Sequence, residues 1–135
     1  MKISDFLFKS VGVPKFENFL DLSAFRHKLV SGNIANVSTP GYRGKDFDFQ
    51  SEFERLSGES SHVNGYVTRP GHIPLGAHED RAPDINETKP GPDDLNGVDI
   101  DKEVARMAQN ELHYTIAARL LQKKFTGLRQ AIQGK

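Results

Sequence analysis

The sequence predicts an all-α chain: two long N- and C-terminal helices packed as a coiled coil, joined by a Gly/Pro-rich, largely irregular or disordered central loop. Three observations lead there. Apolar residues recur at spacings of three and four across residues 16–37, and again without a slip across residues 100–132. Between them, the 41 residues from Ser57 to Gly97 hold six glycines and five prolines and show no helical period. The boundaries that follow are an N-terminal tail over 1–14, a helix with its terminating turn over 15–43, an irregular central segment over 44–97 and a C-terminal helix over 98–135.

The tail mixes Phe6, Leu7, Phe8 and Val11 with Gly12 and Pro14, which is too short and too interrupted for a helix and reads as a segment ordered only against a partner. It carries neither a signal-peptide core nor a small-residue cleavage site, so export is expected to proceed without a cleavable signal peptide. From Lys15 the pattern becomes helical. Leu22, Phe25, Leu29 and Gly32 follow a heptad seam, while Phe16, Leu20, His27, Val30, Ile34 and Val37 make a flanking stripe. One helix with two stripes can pack against two neighbours. His27 reads as a packing residue rather than a ligand, because no second histidine stands at helical spacing.

The helix has to stop within Asn33–Tyr42, the string NIANVSTPGY. Pro40 lacks a backbone N–H and drives Thr39 out of the helical region, and Gly41 accepts the positive φ that a type II turn requires. The expected end is near Ser38. Asn33, Asn36, Ser38 and Thr39 offer short polar side chains to the last free carbonyls, and the Tyr42 ring can fold back on the helix. In the following RGKDFDFQSEFERL, Phe47 and Phe49 alternate as in an extended segment, whereas Phe49, Phe53 and Leu56 fit a short helix. Periodicity leaves both open. Farther on, RPGHIPL could form a short strand.

The last segment is the most regular. Ile100, Val104, Met107, Glu111, Tyr114, Ala118, Leu121, Phe125, Leu128 and Ile132 step by four and three, and Glu111 alone is polar. This reads as a coiled-coil seam of more than four heptads. Asp99 is the expected N-cap, with Asp101 and Glu103 in the first turn and Lys123, Lys124 and Arg129 toward the end, a polarity that complements the helix dipole. Gly127, costly inside a helix, is expected to permit a close approach. Helices of roughly 36 Å and roughly 50 Å cannot cover one another, so apolar surface should remain for other chains.

The intact NIANVSTPGY string resembles the N-terminal signature of the bacterial flagellar axial proteins, and NGVDIDKEVARMAQNELHYTIAARLLQKKFTGLRQAI is similar to the C-terminal helix of the FlgB family of rod proteins. The resemblance covers roughly residues 16–53 and 96–134. It implies a structural subunit of the proximal rod of the flagellar basal body, placed in the periplasm, passed through the flagellar type III export gate and packed into a hollow, torque-transmitting axle. The implied partners are further copies of itself and FlgC-like and FliE-like rod proteins. The expected assembly interface comprises Phe16, Leu20, Leu22, Phe25, Leu29, Asn33, Ile34, Asn36, Pro40, Gly41, Tyr42, Val104, Met107, Tyr114, Leu121, Phe125, Leu128 and Ile132. A sister FlgC-like rod subunit and a free-standing coiled-coil adaptor are the alternatives.

Composition agrees with a structural role. Lysine plus arginine and aspartate plus glutamate number 18 each, so no overall field favours nucleic acid, and no apolar run reaches the roughly 20 residues of a membrane span. The absence of cysteine removes disulfides, thiolate metal sites and a cysteine nucleophile. His72, His78, Glu79 and Asp80 match no ligand spacing, and Asp93, Asp94, Asn96, Asp99 and Asp101 lack the offsets of a calcium loop. No catalytic residue, cofactor or metal is expected, and an enzyme built on His62, His72 and His78 has only scattered residues on its side.

Overall fold

The computed structural model describes residues 12–58, 82–88 and 97–134. They are mostly helical: α1 (Val13–Ala35), β1 (Lys45–Asp46), α2 (Phe49–Ser57), β2 (Asn86–Glu87) and α3 (Ile100–Gln133). The tail as far as residue 11, the RPGHIPL segment, the histidines at 62, 72 and 78 and the acids at 79, 80, 93 and 94 lie outside the described residues.

α1 begins where backbone chemistry allows. Gly12 caps it at φ 76°, and Pro14 occupies the first turn, where its missing N–H costs nothing. The helix ends at Ala35, short of Ser38, because Asn36 folds back on it: its side-chain amide and its backbone N–H both donate to the Gly32 carbonyl, at 2.8 and 3.2 Å. A tight turn then closes from Tyr42 N to Thr39 O at 3.1 Å, with Gly41 at φ 74°. That is the positive φ the Pro-Gly pair demands.

The central segment holds more order than its composition suggests. Lys45 and Asp46 are extended and pair antiparallel with Glu87 and Asn86, and Arg43 bridges Gly97 in parallel sense. The chain turns helical at Asp48, whose carboxylate accepts from Gln50 N and Ser51 N at 3.1 and 3.2 Å. Both readings of the phenylalanine spacing therefore apply, one on each side of Asp48. The physical reason is aromatic packing. Phe49 and Phe53 of α2 meet Phe19 of α1 edge-on at 5.0 and 5.7 Å, and Phe47 meets Phe25 at 5.6 Å.

α3 starts on Asp99, whose side chain accepts from Asp101 N and Lys102 N at 3.1 and 3.3 Å. The Lys102 side chain, 3.1 Å away, and these N–H donors hold the Asp99 carboxyl below its usual pKa. The cap is thus fully effective above the usual carboxylate pKa and is lost as pH falls through the lowered folded-state value. Asp99→Ala is expected to lower stability, read as a lower urea midpoint.

The two long helices run antiparallel, so that Asn33 lies beside Glu103, Ser23 beside Asn110 and Phe16 beside Lys124. The expected seam is not the line that α3 turns inward. Glu103, Asn110 and Ala117 are its buried residues, whereas Ile100, Val104, Tyr114, Phe125 and Ile132 stay exposed. Glu103 and Asn110 take the inward places next to Val104 and Glu111, while Met107, Leu121 and Leu128 of the expected seam stay half-buried beside them. α1 likewise buries Ser23 and Asn33 alongside Leu22 and Val30. Specific hydrogen bonds have overridden apolar periodicity. Gly127 has no atom within 4 Å of a built Cβ, so no close approach occurs there among the described residues.

Candidate functional site

The junction between the helices is organised by Asn33, only 1% exposed. Its amide nitrogen donates to Lys45 O at 2.8 Å and to Glu103 Oε2 at 2.9 Å. Its oxygen accepts from Lys45 N at 2.8 Å and from the Tyr42 hydroxyl at 3.3 Å. All four hydrogen-bonding positions of the amide are thereby filled. The TPGY turn exists in this geometry to bring the chain back under α1, where Asn33 reads the Lys45 backbone like a neighbouring strand. Local reasoning assigned Asn33 to the last helical carbonyls; Asn36 performs that task instead.

From Glu103 the polar contacts continue. Arg106 donates to Glu103 Oε1 at 2.7 Å and lies 3.8 Å from Asp46 Oδ2. Asp46 in turn receives Arg26 through two bonds of 3.1 and 3.0 Å. The Arg26 guanidinium also packs over the Phe47 and Phe49 rings, at 5.5 and 5.8 Å to their centroids. A chain of contacts thus ties α1, β1 and α3 together beside the aromatic cluster. Below it, Asn110 donates to Ser23 O at 2.9 Å. Sequence reasoning gives Arg26, Asp46 and Asn110 no role, and gives Glu103 only that of a first-turn acid. For Asn110, seven residues after Glu103, the signal is a polar residue at heptad spacing inside an apolar helix, and Asp46 on β1 has no such signal.

Backbones come close where the segments cross. A Cβ on Gly97 would stand 2.9 Å from Thr88 O, and one on Gly44 would stand 3.0 Å from Gly97 O. Gly97→Ala is expected to displace this crossing and weaken the β1–β2 pairing, seen as faster amide exchange at Thr88, which donates to Gly44 O at 2.7 Å.

Two apolar concavities flank the helix pair. One, of about 350 Å³, is lined by Phe16, Phe19, Phe53, Ile116, Ala117 and Leu120, with Lys15 and His113 at its edge. The other, of about 430 Å³, is bounded by Leu20, Ala118, Leu121 and Phe125. No group of three or more metal-ligating side chains occurs among the described residues.

Comparison with known proteins relates the sequence to a family. The chain is 34% identical over 121 residues to the flagellar basal body rod protein FlgB of Salmonella typhimurium, covering 85% of this chain and 88% of that one. The chain belongs to the FlgB family. The FlgB of Yersinia ruckeri is also 34% identical, over 123 residues, and that of Bacillus subtilis is 28% identical over 127 residues, with 90% of this chain and 93% of that one covered. No family model matches the chain. As a FlgB-family member it is a structural subunit of the flagellar basal body rod.

The residues expected at the interface of this FlgB-family chain divide into groups. Leu22 and Asn33 are buried within the chain. Phe16, Leu20, Phe25, Leu29, Ile34, Asn36 and Tyr42 are half-buried along α1 and its turn, as are Met107, Leu121 and Leu128 on α3. Pro40 and Gly41 at the turn, with Val104, Tyr114, Phe125 and Ile132 on α3, are exposed. Phe16 and Leu20 therefore open onto different concavities, although they are one helical turn apart.

Proposed function

We propose that this rod subunit belongs to the proximal rod and assembles by coiled-coil packing, through the half-buried and exposed residues just named, into a hollow axle that transmits torque. Its neighbours are further copies of the same chain and FlgC-like and FliE-like proteins. It reaches the periplasm through the flagellar type III export gate. The role is mechanical, with no catalysis. The observation that carries the reading is the apolar stripe of α3: Val104 is 52% and Ile132 75% exposed in the single chain, yet they continue one heptad pattern with Tyr114 and Phe125. No helix among the described residues is long and apolar enough to cross a membrane, so such a stripe is suited to protein contacts.

The test is to place charge in the stripe. Val104→Glu combined with Ile132→Glu is expected to leave the helical signal of the purified chain unchanged while abolishing rod assembly and swimming. Normal basal bodies built from the double variant would exclude the stripe as the assembly surface.

A further inference from the structure

We propose that the Asn33–Glu103 and Asn110–Ser23 contacts form a lock that fixes the rotation and register of α3 against α1, and so leaves Val104, Tyr114, Phe125 and Ile132 of its apolar stripe exposed. The lock concerns the single chain. Its use in assembly rests on the rod reading above.

The starting observation is a conflict. The rotation that the apolar period favours would set Val104 and Tyr114 against α1 in place of Glu103, Asn110 and Ala117. The chain instead buries a carboxylate that is 5% exposed and an amide that is 6% exposed. Burying such groups is costly unless each finds its partner, and each does: Glu103 accepts from Asn33 and Arg106, and Asn110 donates to Ser23 O. Apolar contacts tolerate rotation and heptad slips. These polar contacts do not.

The spacing makes the choice unique. The two contacts lie ten residues apart on α1, from 23 to 33, and seven apart on α3, from 103 to 110. A slip of one heptad in one direction sets Asn110 against Asn33 and leaves Ala117, which has no donor, at Ser23. The opposite slip sets the Glu103 carboxylate against the Ser23 carbonyl, two acceptors face to face. Either slip also takes Arg106 away from Asp46, which holds Arg26 on the same side. A buried polar residue that selects one register among apolar alternatives is the best-attested use of such groups in helical pairs.

Because the chain has no cysteine, single introduced thiols can report the rotation. Val104→Cys and Ala117→Cys are labelled with a maleimide in the full chain, at concentrations where sedimentation shows a single chain. Val104 is half-exposed and Ala117 is 6% exposed, so the first thiol is expected to react at least about tenfold faster. In a Glu103→Leu/Asn110→Leu background the order is expected to reverse while helicity is kept, and Glu103→Gln, which still offers Asn33 an acceptor, is expected to preserve it. A helical double variant with the original order overturns the lock. So does a double variant that loses its helicity, since the contacts would then hold the pair together rather than choose its rotation. Neither result bears on the rod reading, which the charged-stripe variants test separately.

Discussion

Asn33→Ala lowers the stability of the chain by about 3–5 kcal/mol, the largest expected effect of any single polar substitution described above. The expectation follows from what is left behind. Removing the amide strips Lys45 N and Lys45 O of partners at 2.8 Å each, and deprives the buried Glu103 carboxylate of one donor. These partners are lost together, and each group carries a desolvation cost to the extent that it stays buried. Against a typical domain stability of 5–15 kcal/mol, that loss leaves little. Urea unfolding followed by circular dichroism measures it. Asn36→Ala, which removes one bond to a helix-end carbonyl, is the control and is expected to cost about 1 kcal/mol. Equal losses at the two positions would show that the junction is no more than a helix stop.

Phe47→Ala is expected to cost about 3–5 kcal/mol by a different route, the creation of a cavity. Phe47 is 2% exposed, stacks with Phe49 at 6.0 Å, meets the tilted Phe25 ring at 5.6 Å, and packs under the Arg26 guanidinium. Its loss also loosens Arg26, which holds Asp46 and the Phe47 carbonyl. The two residues therefore act together, and Arg26→Ala combined with Phe47→Ala should fall short of the sum of the single effects by more than about 0.5 kcal/mol. Strict additivity in the double-mutant cycle would mean that ring and guanidinium stabilise the junction independently.

The contrast between these residues explains what the sequence could disclose. The turn at Pro40–Gly41 and the Asp99 cap were legible because their causes lie within four residues of them. The long helix at 100–133 was legible because its apolar period is unbroken. The face that α3 turns inward was not, because periodicity marks which residues are apolar without saying which neighbour each will meet. That choice was made by Asn33 and Glu103, seventy positions apart. Asn33 illustrates the same limit, since a helix-end asparagine followed by Pro-Gly is ordinarily a local cap, and only the folded chain reveals its partner as the backbone at Lys45. The aromatic spacing of 47, 49 and 53 was ambiguous for want of Phe19, a residue on another element.

The crossing beneath α1 gives the protein something like a socket. The backbone is pinned at Lys45–Asp46 against Asn86–Glu87, at Thr88 against Gly44, and at Arg43 against Gly97, while Glu52 of α2 accepts from Asp84 N at 3.3 Å. Residues 58 and 82 lie next to these fixed points, and lengthening the connection between them is expected to add only a small term. Doubling such a connection adds only about 0.6 kcal/mol of closure entropy. A peptide tag or a small folded module spliced between those points should therefore leave the helix pair in register, which gives a place to attach a visible marker to the subunit.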